Sequence, residues 1–152
     1  MSEGVTEGDG YAVGHIDQMG DPYGFRKIRR ELGVSAFGVN AIVLPAGYET
    51  GRHFHDQQEE LYFCHHGRLE IEFGDGTAHT LEPGTAARVN AATVRQMRNV
   101  GEEDAVYLVI GGKDGYVGRD GRLPAGEESP RGAGFSGPPG AGPPLPGESG
   151  DN

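Results

Sequence analysis

The apolar residues between positions 23 and 110 fall in short runs separated by Gly, Pro, Asn and Asp, and no segment repeats them with a period of 3.6. The clearest pattern is the alternation of Leu69, Ile71 and Phe73 with charged residues. A period of two is typical of a β-strand with one buried face. The pattern therefore predicts an all-β fold of about eight short antiparallel strands, packed as a sandwich or jelly roll. The predicted strands span residues 36–44, 61–66, 69–73, 79–81, 86–89, 94–98 and 105–110.

The two ends of the chain differ from this central region. Roughly half of residues 119–152 are Gly or Pro, so this segment has too little apolar surface to offset the entropy lost on ordering. The first ten residues are polar and acidic. We therefore expect a flexible N-terminal arm over residues 1–20, a β-barrel over residues 21–115 and a disordered Gly/Pro-rich tail over residues 116–152.

Composition and charge narrow the possible partners. The formal net charge of -10 argues against binding to nucleic acid or to an anionic membrane, because both repel an acidic protein. A basic run at residues 26–30 is short and strand-like, and no helix-turn-helix pattern precedes it, which argues against a transcription factor. No apolar stretch approaches the ~20 residues of a membrane span, and Cys64 is the only cysteine. The sequence thus predicts a cytoplasmic protein whose partner is a small molecule.

Two histidines and a glutamate form the candidate chemical site. His53 and His55 are two residues apart, so on a strand both imidazoles project from the same face. Glu60 follows at the start of the next apolar run. Two imidazoles and one carboxylate can bind a divalent metal and leave coordination positions open for a substrate. This ligand set suits Fe, Mn, Ni, Zn and Cu alike.

The spacing of these residues resembles a known family. The stretch Gly47-x5-His53-x-His55-x4-Glu60-x6-Gly67 is similar to the first signature motif of the cupin superfamily. Residues 81–84, residues 88–93 and Arg95-x3-Asn99-x-Gly101 resemble the second motif, although Asn and Ala stand at positions 90 and 92 where that motif usually has Pro and Gly. Together the resemblance covers approximately residues 23–111.

The resemblance implies a fold and a range of functions. The fold would be a cupin double-stranded β-helix, a jelly-roll (RmlC-like) barrel of the small single-domain type with a ligand pocket in its mouth. Such proteins are often homodimers in which N-terminal strands pack on the partner. Similar small cupins include metal-dependent dioxygenases, decarboxylases and isomerases, and also non-catalytic ligand binders, so the activity has to be argued from the site.

Arg95 departs from the family pattern. The second cupin motif usually supplies a third histidine ligand at this position, and Asn99 keeps the register. A guanidinium is always protonated and cannot donate a lone pair to a metal. At ~5 Å from a dication, with an effective dielectric constant of ~20, its repulsion is on the order of 6 kcal/mol. A metal and Arg95 therefore compete unless an anion lies between them.

Three hypotheses follow from Arg95. In the first, the three motif residues hold a divalent metal, and Arg95 turns aside or binds a carboxylate or phosphate of the ligand. In the second, Arg95 forms an ion pair with Glu60 that replaces the metal, and the pocket takes an anionic or sugar-like molecule. In the third, His66 or His79 supplies another ligand to the metal.

The remaining candidates are pocket walls. Alternation from Glu60 places Tyr62 and Cys64 on the inward face of the same strand, and Phe37 and Met97 are further candidates for contact with the ligand. Ordinary core packing is the alternative explanation for all four. Glu59 is expected to face solvent, because adjacent strand residues point to opposite sides.

Overall fold

The computed structural model describes residues 4–125 and 135–137. It contains short strands, a 3-10 helix over Ile16–Gln18 and one α-helix, α1, over Ile28–Leu32. The strands are β1 (Val5–Gly8), β2 (Tyr11–Gly14), β3 (Gly24–Arg26), β4 (Gly38–Leu44), β5 (Glu49–Thr50), β6 (Phe54–His55), β7 (Glu59–His66), β8 (Leu69–Phe73), β9 (Ala78–Leu81), β10 (Ala86–Val89), β11 (Arg95–Asn99), β12 (Ala105–Gly112), β13 (Gly121–Arg122) and β14 (Phe135–Ser136).

Two five-stranded antiparallel sheets form the body of the fold. The first has the order β10-β7-β12-β4-β3, and the second has the order β14-β5-β11-β8-β9. Their facing sides meet in one apolar core, to which β4, β7 and β12 contribute from the first sheet and β8, β9 and β11 from the second. This arrangement confirms the predicted all-β jelly roll. The alternation in β8 is also confirmed, because Leu69 and Ile71 are buried while Glu70 and Glu72 are not.

The N-terminal segment, predicted to be a flexible arm, contains a β-hairpin. β1 and β2 pair as a hairpin around Asp9-Gly10, and Gly10 has a φ of 86°, in the left-handed region that this tight turn requires. Val5 and Met19 are buried. The sequence offered a signal here, since Asp-Gly between two short runs is a common hairpin turn.

The basic run at residues 26–30 was predicted to be a strand, and this prediction is wrong. Arg26 ends β3, and α1 begins two residues later and ends at Gly33, whose φ of 75° is the left-handed cap typical of helix ends. The helix has only five residues, which is too short for a hydrophobic period to be visible in the sequence. Within the described residues no helix is long and apolar enough to cross a membrane.

A segment that we call the strap, residues 113–122, leads away from the end of β12 and returns to the mouth of the barrel. At its end β13 pairs with β6, and the guanidinium of Arg122 lies 2.7 Å from the carboxylate of Asp56. The cation of Arg29 on α1 lies 4.0 Å from the centre of the Tyr116 ring. Most of the strap lies in the segment predicted to be a disordered tail, and the rest of that segment, apart from residues 123–125 and 135–137, lies outside the described residues.

Candidate metal centre

His53, His55 and Glu60 come together at one end of the barrel. His53 forms an isolated antiparallel bridge with Arg95, His55 ends β6, and Glu60 is the second residue of β7. One possible ligand atom from each of the three lies within 4.8 Å of the others. His55 and Glu60 are buried and His53 is half-buried. The three residues that the motif singled out are therefore close enough to hold one metal ion.

The hydrogen bonds of the two imidazoles decide which ring nitrogen carries a proton. Nδ1 of His53 lies 3.0 Å from the carbonyl oxygen of Gly51, and Nδ1 of His55 lies 2.8 Å from Oδ1 of Asp120. Carbonyl and carboxylate oxygens only accept, so we assign the proton to each Nδ1, which donates it. The side-chain amide of Gln58 lies 3.3 Å from Nδ1 of His55, but it donates to Asp120 at the shorter distance of 2.5 Å. In the neutral imidazoles this assignment leaves Nε2 with a lone pair, which is the form a metal requires.

Nε2 of His55 is a buried nitrogen without a hydrogen bond to the described residues. It lies 3.1 Å from Oε1 of Glu60, but without the alignment of a hydrogen bond, and no other atom of the described residues bonds to it. Buried polar atoms in native proteins normally have a partner. A metal between this nitrogen and the carboxylate would supply one, so donor type and tautomer both fit a metal site.

Burial and charge shift the pKa values of the three residues in different directions. Burial lowers the pKa of His53 to about 4, which keeps this imidazole neutral. Burial also acts to lower the pKa of His55, but the carboxylates of Glu60 and Asp120 outweigh it and raise that pKa. Burial acts to raise the pKa of Glu60, yet the cationic neighbours, His55 first and then Arg95, lower it. Glu60 is therefore a carboxylate.

Arg95 is fixed inside the site. Its side chain is fully buried, its Nη2 donates to Oε1 of Glu60 at 3.2 Å, and its Nε donates to the hydroxyl of Tyr62 at 3.2 Å. Nη1 donates to the backbone carbonyl oxygens of residues 90, 91 and 93. The guanidinium therefore lies against Glu60, as the second hypothesis requires, and its hydrogen bonds go to acceptors of the protein itself.

Arg95 and Tyr62 share one oxygen of the Glu60 carboxylate. Oε1 of Glu60 also accepts a hydrogen bond from the hydroxyl of Tyr62 at 2.8 Å. Burial raises the pKa of Tyr62 well above its ordinary value, so Tyr62 remains a phenol that donates. The ligand set fits a metal in its chemistry, whereas the positive charge of Arg95 opposes the binding of a metal cation.

The residues predicted to be pocket walls lie mostly in the apolar core. Tyr62, Cys64 and Met97 are buried and belong to the apolar core cluster, and of the three Tyr62 touches Glu60. Phe37 is 44% exposed just before β4. The outward position predicted for Glu59 is confirmed, because its exposed side chain pairs with Arg88.

His66 and His79, the candidates for another ligand, lie elsewhere. His66 is exposed and lies 3.5 Å from Glu103, and the ring of His79 lies 6.2 Å from that of Phe73. Among the described residues the candidate metal group contains only the three motif residues. The structure therefore does not support the third hypothesis.

Two residues of the site were missed by the sequence analysis. Asp120 accepts hydrogen bonds from His55, from the side chain of Gln58, and from the backbone amides of Gln57 and Gln58. Asp120 and Gln58 are both buried. Asp120 lies in a Gly-rich segment without hydrophobic periodicity, so nothing local in the sequence distinguishes it from an exposed loop residue.

Comparisons with known proteins identify a cupin domain in this chain. The family Cupin_2, described as the cupin domain, matches residues 40–111. A search of curated proteins found no match. Among solved structures, a cupin protein from Bacteroides fragilis is 25% identical with a TM-score of 0.56, and the match covers 62% of this chain and 80% of that one.

Two further solved structures carry enzyme names. A putative sugar phosphate isomerase from Acidithiobacillus ferrooxidans is 25% identical with a TM-score of 0.53, and the match covers 57% of this chain and 56% of that one. A chain from the structures of the DMSP lyases RdDddP and RnDddQII is 26% identical with a TM-score of 0.51, with 58% of this chain and 44% of that one covered. This chain thus spans less than two thirds of either enzyme. Residues 40–111 thus form a cupin domain, as the two-sheet barrel and the motif spacing also indicate.

Proposed function

We propose that this cupin binds a divalent transition metal through His53, His55 and Glu60 and uses it to act on a small anionic molecule. The observation that carries the proposal is the pair of hydrogen bonds from Nδ1 of the two histidines, which leaves Nε2 of each neutral ring as the coordinating atom. The buried Nε2 of His55, which has no hydrogen-bond partner within residues 4–125 and 135–137, supports it further. Fe, Mn, Ni, Zn and Cu remain equally compatible with this ligand set.

The charge of the site favours an anionic ligand. With a divalent ion bound, the positive charges of the ion and Arg95 exceed the negative charges of Glu60 and Asp120 by one unit. Burial of these groups strengthens the field that they produce. A carboxylate or phosphate of a substrate would balance the excess, which is compatible with the sugar phosphate in the name of one enzyme relative.

The residues around the ion would have separate roles. A bound metal in a cupin of this kind supplies a Lewis acid or a redox centre. Arg95 would hold Glu60 in position through Oε1 and add positive charge beside the substrate. Tyr62 would remain protonated and donate a hydrogen bond. Isomerase, decarboxylase and dioxygenase chemistry are all compatible with these roles.

A second candidate function rests on the ion pair between Arg95 and Glu60. The guanidinium lies 3.2 Å from the carboxylate, and both side chains are almost completely buried. In this alternative Arg95 takes the place of the metal, and the protein binds a small ligand without catalysis.

Metal content separates the two candidates. The full-length protein is purified without an affinity tag, and bound metals are measured by inductively coupled plasma mass spectrometry. We expect about one equivalent of a divalent transition metal in the wild type and less than about a tenth in His53→Ala. His66→Ala is the matched control, since His66 is exposed and lies outside the cluster, and its metal content should equal that of the wild type.

A different outcome would favour the metal-free binder. Arg95→His restores the histidine of the family pattern and removes the competing cation. If the wild type holds less than about a tenth of an equivalent and Arg95→His holds about one, the metal proposal is wrong for the natural protein. Equal metal content in the wild type and His53→Ala would reject the site itself.

A further inference from the structure

The strap brings a carboxylate into the metal centre from a distant part of the chain. Asp120 is separated from His55 by 65 positions, and its side chain is almost completely buried. It makes four hydrogen bonds with three residues of the β6–β7 region. An exposed loop carboxylate can be hydrated by water and needs no such set of protein donors. The burial and hydrogen bonds of Asp120 therefore indicate a role within the site.

The two oxygens of Asp120 have different partners. Oδ2 accepts from the backbone amides of Gln57 and Gln58 at 2.8 and 3.0 Å. Oδ1 accepts from Nδ1 of His55 at 2.8 Å and from the side-chain amide of Gln58. The backbone bonds fix the direction of the carboxylate, so Oδ1 has little freedom to move away from the ring of His55.

We propose that Asp120 is a positioning residue that holds His55 in the tautomer with the proton on Nδ1, and thereby keeps Nε2 ready to bind a metal. The inference rests on the proposed metal function of His55. The second histidine does not depend on the strap, because the backbone carbonyl of Gly51 performs the same task for His53. Metal affinity would therefore depend on a residue outside both cupin motifs.

The substitution Asp120→Asn tests this directly, because the two side chains have the same shape. Two backbone amides point at the Oδ2 position, so the carbonyl oxygen of asparagine must occupy it. Its NH2 group then faces Nδ1 of His55 and donates to it. The proton of the imidazole moves to Nε2, which removes the lone pair that would bind the metal.

The first measurement is the tautomer of His55 in the metal-free, full-length protein. Long-range 1H–15N correlation spectra show which ring nitrogen carries the proton, and a His55→Gln variant assigns the signals. The spectra are recorded above the raised pKa of His55, where the ring is neutral. We expect the proton on Nδ1 in the wild type and on Nε2 in Asp120→Asn. A proton on Nε2 in the wild type would overturn the inference even if the variant failed to fold.

The second measurement is the affinity for Zn²⁺ by isothermal titration calorimetry. Loss of such a hydrogen-bond partner typically weakens metal binding about 10- to 100-fold, and we expect this range for Asp120→Asn. Arg122→Gln is the matched control, because it breaks the ion pair of the strap with Asp56 and does not touch His55. Its affinity should stay within about twofold of the wild type, since exposed ion pairs contribute little.

The possible outcomes are distinct. Equal losses of affinity in Asp120→Asn and Arg122→Gln would show that the strap acts only by closing over the site, and would reject the positioning role. Unchanged tautomer and affinity in Asp120→Asn would also reject it. If the wild type binds no Zn²⁺, the proposed metal function fails, whereas the tautomer of His55 still decides whether Asp120 positions this ring.

Discussion

Replacing Glu60 with glutamine removes one charge from the most deeply buried ion pair among the described residues, in which Arg95 is 0% and Glu60 1% exposed. At a separation of 3.2 Å, and with an effective dielectric constant of ~20, their attraction is about 5 kcal/mol. This attraction offsets a desolvation penalty of several kcal/mol for each ion. In Glu60→Gln the guanidinium remains buried without its counter-charge, so we expect the free energy of unfolding to fall by about 3–5 kcal/mol.

Urea denaturation of the metal-free protein at neutral pH, followed by circular dichroism, measures this loss. A double-mutant cycle with Arg95→Met isolates the pair, because the double variant removes both charges together. We expect the double variant to be more stable than the sum of the single losses by at least about 2 kcal/mol. Glu59→Gln is the matched control, since Glu59 is the adjacent residue and forms an exposed pair with Arg88 at 3.1 Å. Its loss should stay below about 1 kcal/mol.

The reasoning would be refuted by two results. One is a loss in Glu60→Gln as small as that in Glu59→Gln, which would mean that Arg95 reaches solvent or another acceptor. The other is strict additivity in the cycle, which would mean that the two charges do not interact.

Three further predictions concern other parts of the site. Burial acts to raise the pKa of Asp120, but hydrogen bonds from the backbone amides dominate and lower it from 3.8 to about 2. Its contribution to the free energy of unfolding, roughly 2 kcal/mol, is thus complete above pH ~4 and lost as the pH falls through about 2. Urea titrations over this window should show a steeper loss of stability in the wild type than in Asp120→Asn, in which Glu60 and the other carboxylates still titrate. Gly111 of β12 pairs with Glu60 of β7, and a Cβ at Gly111 would overlap Oε1 of Gln58. Gly111→Ala should therefore lower the free energy of unfolding by about 1–3 kcal/mol in the same assay. No loss would mean that the side chain of Gln58 moves aside freely. If the metal proposal holds, Zn²⁺ at about 100 times its dissociation constant should stabilise the wild type by about 2.7 kcal/mol in thermal denaturation, with no effect in His53→Ala.

Local patterns in the sequence predict much of this protein. The alternation in β8 depends only on neighbouring residues and the barrel core, so it can be seen without tertiary information. The ligand triad is also local, because His53, His55 and Glu60 lie within eight positions on adjoining short elements. Arg95 could be aligned with the second motif because Asn99 keeps its register, and the structure pairs the backbone of Arg95 with that of His53.

The features that were missed depend on long-range contacts or on very short elements. α1 has five residues, and its position is set by the β3–β4 connection rather than by an amphipathic period. Asp120 is defined by hydrogen bonds to residues more than sixty positions earlier, and a composition rich in Gly and Pro gives no sign of them. The fixed orientation of Arg95 was likewise not predictable, because it depends on the backbone carbonyls of the turn at residues 90–93.

The distance in sequence between His55 and Asp120 also sets an order in time. The two residues are 65 positions apart, so at a ribosomal elongation rate of ~5–20 residues per second Asp120 is added roughly 3–13 s after His55. During this interval the nascent chain contains both histidines and Glu60, but Asp120 has not yet been added and cannot bond to the ring of His55. Completion of the site is therefore one of the last steps in the synthesis of the described barrel, and an ion captured earlier would be held by His55 without that partner.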